Sequence, residues 1–126
     1  MSNNALPLLL LDNASMSTVI NEGEFKVFNM TFEEAKAIVE MYSGEDVLRC
    51  FTGELLEETV YKYLDIRGQH FEYKKILDMR PGQHAIVFKT YVTPSETTPV
   101  IKTKYDSEAK KIQNIYIYCQ HVVRMA

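Results

Sequence analysis

Four consecutive leucines, Leu8 to Leu11, set the strongest limit on how this chain folds. A continuous apolar run of that length, followed by the turn-forming pair Asp12-Asn13, has the signature of a short central strand covered on both faces. It is too short to span a bilayer. With no basic stretch before it and no small-residue cleavage signature after it, it does not read as a secretion signal. The chain has 126 residues, which suits one compact domain over 1–126, and no internal repeat or interdomain linker interrupts it.

The rest of the pattern builds around that strand. The polar segment Asp12 to Ser17 is dense in turn formers and reads as a loop leaving the strand's end, a common place for ligands. Glu24 to Asn29, where Phe25 and Val27 alternate with Lys26, predicts a strand with one packed face. Thr31-Phe32-Glu33-Glu34 fits a capping box, and Phe32, Ala35, Ile38, Val39 and Tyr42 recur at helical spacing, so a helix starts there and ends by Ser43-Gly44. A brief apolar strand over Asp46 to Phe51 leads to a second amphipathic helix through Leu55, Leu56, Val60, Tyr63 and Leu64. Thr52 is its candidate N-cap, and Glu54, Glu57 and Glu58 lie near its positive end.

Beyond it, Phe71 to Met79 and His84 to Val92 flank Arg80-Pro81-Gly82-Gln83, which predicts a hairpin. Thr93 to Pro99 reads as a mobile loop outside any ladder, Asp106 to Lys111 as one helical turn, and Ile112 to Arg124 as a long closing strand. Together these predict an α+β domain: a mixed or antiparallel sheet of about five or six strands with two helices packed on one face. The tyrosines expected on outward strand positions leave amphipathic surface for a second subunit, so a homodimer is expected.

Charge is unevenly spread. Residues 1–60 hold three Lys/Arg against eleven Asp/Glu, and residues 61–126 hold eleven against six. Solvated faces of opposite sign explain this, and an anion site on the basic side is the sharper alternative. The overall charge of -3 offers no field for coating duplex DNA. Cys50 and Cys119 stand apart, outside any Cys-x-x-Cys or Cys/His cluster, so they read as buried reduced thiols in a cytoplasmic protein, and no metal or cofactor is expected. His70, His84 and His121 show no ligand spacing and read as structural or surface residues. The glycine-rich nucleotide loops, the nucleophile elbow and the zinc-protease helix are absent.

Two places could hold an anion. At Thr52-Gly53 a helix N-terminus offers amides and a hydroxyl, and the glycine permits close approach; ordinary capping is the alternative. On the expected hairpin, Lys74, Lys75, Arg80 and Lys89 accompany Tyr73 and Tyr91, which suits a phosphate attached to a base; lysines guarding a sheet edge are the alternative.

The order of these pieces resembles the small viral ring nucleases, anti-type-III-CRISPR proteins of archaeal viruses and phages. The resemblance runs through the strand ending Leu8 to Ala14, the strand and capped helix, the helix entered through a Gly, and Met79-Arg80-Pro81-Gly82-Gln83-His84-Ala85-Ile86-Val87-Phe88-Lys89. It covers residues 8–92 in order and the remainder loosely. It implies a compact dimer binding a cyclic oligoadenylate across its two-fold axis, with Asn13, Ser15 and Ser17 in a ligand-contacting first loop and Lys74 at a phosphate. The family's catalytic histidine follows the helix-entry glycine, whereas this chain has Gly53-Glu54, and the Arg-rich segment after the hairpin is missing. An imidazole suits acid catalysis at neutral pH far better than a carboxyl. The expectation is therefore a counter-defence protein, encoded by a virus or mobile element, that sequesters a nucleotide messenger without cutting it. Ligand contacts are expected from Asn13, Ser15, Ser17, Thr52, Gly53, Glu54, Lys74 and Arg80. A protein blocking a defence effector by direct contact, or a ring nuclease with a substituted site, are the alternatives.

Overall fold

The computed structural model describes residues 6–20, 22–94 and 113–126. Strand β1 (Leu8–Asp12) is central. It lies parallel to β3 (Val47–Arg49) on one side and to β5 (His84–Pro94) on the other, with Leu9 opposite Leu48 and Leu10 opposite Ile86. β6 (Gln113–Arg124) runs antiparallel to β5 and to β2 (Phe25–Met30), and the two-residue β4 (Glu72–Tyr73) extends β3 in parallel. The result is a mixed six-stranded sheet in the order β2-β6-β5-β1-β3-β4, the α+β class expected from the pattern.

Alternation along β1 divides the core. Leu8 and Leu10 join Val47, Ile86, Phe88, Ile117 and Cys119 under helices α2 (Phe32–Glu40) and α3 (Glu54–Leu64), which contribute Ala35, Val39, Val60 and Leu64. Leu9 and Leu11 face the other way, packing with Leu48, Val87, Val122, Met79 and Val19. All four leucines are fully buried, so truncating any one to alanine removes packing on a face that has no spare contact.

Val19 belongs to a helix that the pattern did not foretell. Asn13–Val19 is α1, not a loop, and it covers the second face of the sheet, so helices flank both faces instead of one. Its start is a reciprocal cap: the Ser15 amide donates to Asp12 Oδ1 at 2.8 Å, and the Asp12 amide donates to Ser15 Oγ at 2.9 Å. Turn-forming residues thus served as cap and first turn.

The expected hairpin does not form. β4 sits at the sheet edge beyond β3, whereas β5 pairs with β1 and β6, three strands away. Residues 74–83 cross between them without regular structure, and the Pro81-Gly82 turn serves the crossing: Arg80 N donates to Gln83 Oε1, and Gln83 Nε2 donates to the carbonyl of Pro7. Gly82 takes a positive φ of 86°, which explains glycine at that point. β5 also continues through Thr93 and Pro94, where a mobile loop was expected; a proline is tolerated at a strand's last residue. The expected turn at Asp106 to Lys111, and most of Thr93 to Pro99, lie outside the described residues.

The capped helix, the brief strand at β3 and the long closing strand β6 stand as the pattern indicates. Strand β2 differs in exposure. It is an edge strand, and Val27 and Phe28 are about half exposed on its opposite faces.

Candidate functional site

The chain leaves β1 into α1 on one face of the sheet and leaves β3 into α3 on the other. Two adjacent parallel strands whose helices depart in opposite directions open a crevice outside their carboxyl ends, the usual ligand position in sheets of this kind. A pocket of about 220 Å³ occupies that crevice. Ala14, Ser15 and Thr18 come from α1, Cys50 and Thr52 from the β3–α3 connection, and Tyr73, Lys75 and Ile76 from β4 and the segment after it.

Asp12 governs the electrostatics beneath it. Its side chain, 4% exposed, holds two helix starts together. Oδ1 accepts from the amide and hydroxyl of Ser15; Oδ2 accepts from the Thr52 amide at 2.6 Å, the Thr52 hydroxyl at 2.9 Å and the Gly53 amide at 3.0 Å. Burial pushes its carboxyl upward, yet the hydrogen bonds from Ser15 and Thr52 outweigh that and hold it below the ordinary 3.8. The Cys50 thiol nearby moves the other way, pushed up to about 12 by burial and by the Asp12 charge. It is an inert part of the pocket wall.

This arrangement changes the role of Thr52 and Gly53. Gly53, not Thr52, is the N-cap of α3, and both amides are spent on an internal carboxylate, so they do not meet an external anion as expected. The Thr52 hydroxyl donates to Asp12 as well, which leaves it only lone pairs to offer outward. The cation of the pocket is Lys75. The Tyr73 ring stands beside it, half exposed, with the Arg49 guanidinium 5.4 Å from the ring centre. Arg49 is itself fixed by the Phe71 carbonyl and by Glu57, which also accepts from the Tyr61 hydroxyl at 2.8 Å.

The expected site residues are therefore only partly gathered. Ser15 and Thr52 line the pocket; Gly53 lies beside Thr52, and a Cβ added there would stand 3.9 Å from Asp12 Oδ2. Asn13, Ser17, Glu54 and Lys74 are exposed and outside its lining. Arg80 is at the opposite end of the sheet, tied through Gln83 to Pro7 ahead of β1, because no hairpin carries it back. Lys75 and Tyr73 take the position expected of Lys74 and Arg80. The contributions of Ala14 and Thr18 were hidden by the loop reading of α1.

A second cluster lies near the amino-terminal end of β5. His84 Nδ1 and His121 Nε2 are 2.8 Å apart, with Phe28 beside His121 at 6.0 Å between ring centres. Burial, then the neighbouring His84, holds His121 below the ordinary 6.5. Both histidines are half-buried, and the pairing joins strands 37 residues apart in sequence.

The fold thus defines a class: a six-stranded mixed sheet, parallel at its centre, with a crevice at the point where its helices diverge. B116 of Sulfolobus turreted icosahedral virus has a similar solved fold, with a TM-score of 0.56 and 12% sequence identity over 94% of this chain and 99% of that one. No protein-family model matches the sequence, and comparison with curated proteins gives no match. Among the described residues no helix is long and apolar enough to cross a membrane.

Proposed function

We propose that the protein is a counter-defence factor, encoded by a virus or mobile element, that binds and sequesters a nucleotide second messenger of the cyclic oligonucleotide type as a homodimer. The observation that carries this reading is the convergence of Lys75, Tyr73 and Thr52 on one crevice. An ammonium suits a phosphate, an aromatic ring suits a base, and a hydroxyl whose proton is already committed accepts from a ribose hydroxyl or a base amino group. Asn13, Ser17, Glu54 and Lys74, outside the lining, are proposed as secondary ligand positions. The likeness to a viral protein supports viral encoding, and the family resemblance in the sequence supports the counter-defence role.

Size supports a shared ligand. The crevice, at 220 Å³, is smaller than the roughly 300–1,000 Å³ typical of small-molecule pockets, so one protomer takes one nucleotide unit and a second copy takes more of the ring. Chemistry supports holding over cutting. Among the described residues the lining has no imidazole or carboxylate, and its thiol is held protonated at neutral pH.

Purified protein is incubated with cyclic oligoadenylates and other nucleotide messengers, separated from free ligand, then heated. Intact ligand in the supernatant is the expected result. Linear products would favour a ring nuclease, and absence of retained ligand would overturn the reading. In that last case direct contact with an effector becomes the better account. One observation favours it: apolar Phe28 stands about half exposed on the edge strand β2, beside a groove lined by Met30, Ala37 and Ile38.

A further inference from the structure

The geometry points to a second binding site, a two-imidazole chelate for a divalent transition-metal ion formed by His84 and His121. In the β5–β6 ladder His84 lies opposite Val123 and His121 opposite Ile86, so the two rings are diagonal neighbours on one face of the sheet. The backbone of two long paired strands fixes their spacing. Their facing nitrogens, Nδ1 of His84 and Nε2 of His121, are 2.8 Å apart. Neither ring is sealed in the core; both are half-buried, and the exposed Phe28 borders them.

That spacing suits a two-nitrogen chelate. Two imidazole nitrogens bonded at right angles to one ion, each at about 2.0–2.1 Å, lie about 2.9 Å apart, whereas tetrahedral ligands lie about 3.4 Å apart. Small side-chain rotations reach either separation, and the affinity order of nitrogen sites favours Cu(II) among the divalent ions. A turn of each ring by about 35–45° points the two lone pairs away from each other and toward the ion. The proton that joined the rings passes to the outward nitrogen of the ring that donated it, so each ring stays neutral with one N–H. Among the described residues no third His, Cys, Asp or Glu completes a cluster, and water fills the remaining positions. This site is far from the crevice at the carboxyl ends of β1 and β3 and stands apart from the nucleotide reading.

The test titrates the untagged full chain with NiCl2, CuCl2 and ZnCl2 by calorimetry, and records the electron paramagnetic resonance spectrum of the Cu(II) form. One ion per chain, with splitting from two nitrogens, is expected. His121→Gln keeps a side chain that can hydrogen-bond His84 but offers no imidazole. With its fold verified by circular dichroism, it should weaken Ni(II) binding by more than the roughly tenfold that loss of even an outer-shell partner costs, and His84→Gln should do the same. His70→Gln serves as the exposed control and should change nothing. Absence of stoichiometric binding, full affinity in both paired variants, loss in the control, or Zn(II) held more tightly than Cu(II) would overturn the assignment.

Discussion

The two ends of the central strands treat polar groups in opposite ways. At the carboxyl ends, Asp12 collects donors from two helix starts, and each of its oxygens is fully used. At the other end, half-buried His84 and His121 share a single hydrogen bond with each other. Groups committed to holding the fold together are lost to ligands. Under the proposed reading, recognition at the carboxyl end falls to the rim, Lys75 and Tyr73.

Removing the committed group should have the largest effect. Asp12→Ala leaves the Thr52 and Gly53 amides without their acceptor and uncaps α1, and urea denaturation should show a loss of about 3–5 kcal/mol. Removing a rim group should instead spare stability and affect binding: Lys75→Ala should cost a bound nucleotide about 1.5–3 kcal/mol by calorimetry. Arg80→Ala, at the other end, should leave affinity unchanged. Next comes Gly68, where an added Cβ would lie 1.7 Å from the Tyr61 ring; Gly68→Ala should displace that ring from Glu57 and cost about 1–3 kcal/mol in a thermal melt.

Acid separates the two ends with the smallest effect. His121 titrates below its ordinary 6.5 in the folded chain, so its contribution is complete above that pH and falls as pH drops through the folded value. Asp12 is also depressed, and its contribution persists until pH falls below 3.8. Unfolding free energy measured against pH should therefore decline in two separated steps, the upper one absent in His121→Gln.

What the sequence revealed follows from how local each signal is. The start of α2 was legible because Thr31 and Glu34 cap each other within one turn, and β1 because four leucines need cover on both faces. The start of α1 carried a similar reciprocal cap, but Asp12 and Ser15 also suit turns, and a seven-residue helix offers little apolar periodicity to decide between them. Pro81-Gly82 marked a real turn, yet nothing nearby shows that β5 pairs with β1 and β6 instead of β4. The same long-range pairing concealed the histidine pair. Thr52 and the segment after Tyr73, both of which line the crevice, are legible as neighbourhoods in the sequence, but the capture of both amides by Asp12 depends on residues forty positions apart.

The most direct measurement follows backbone amide shifts in a nitrogen-15 spectrum as a cyclic oligoadenylate is added. Changes centred on residues 14–18, 50–53 and 73–76, with the signals of 25–30 and 121 unmoved, are the expected result. Changes centred on β2 and α2, or none at saturating ligand, would contradict a nucleotide site at the crevice.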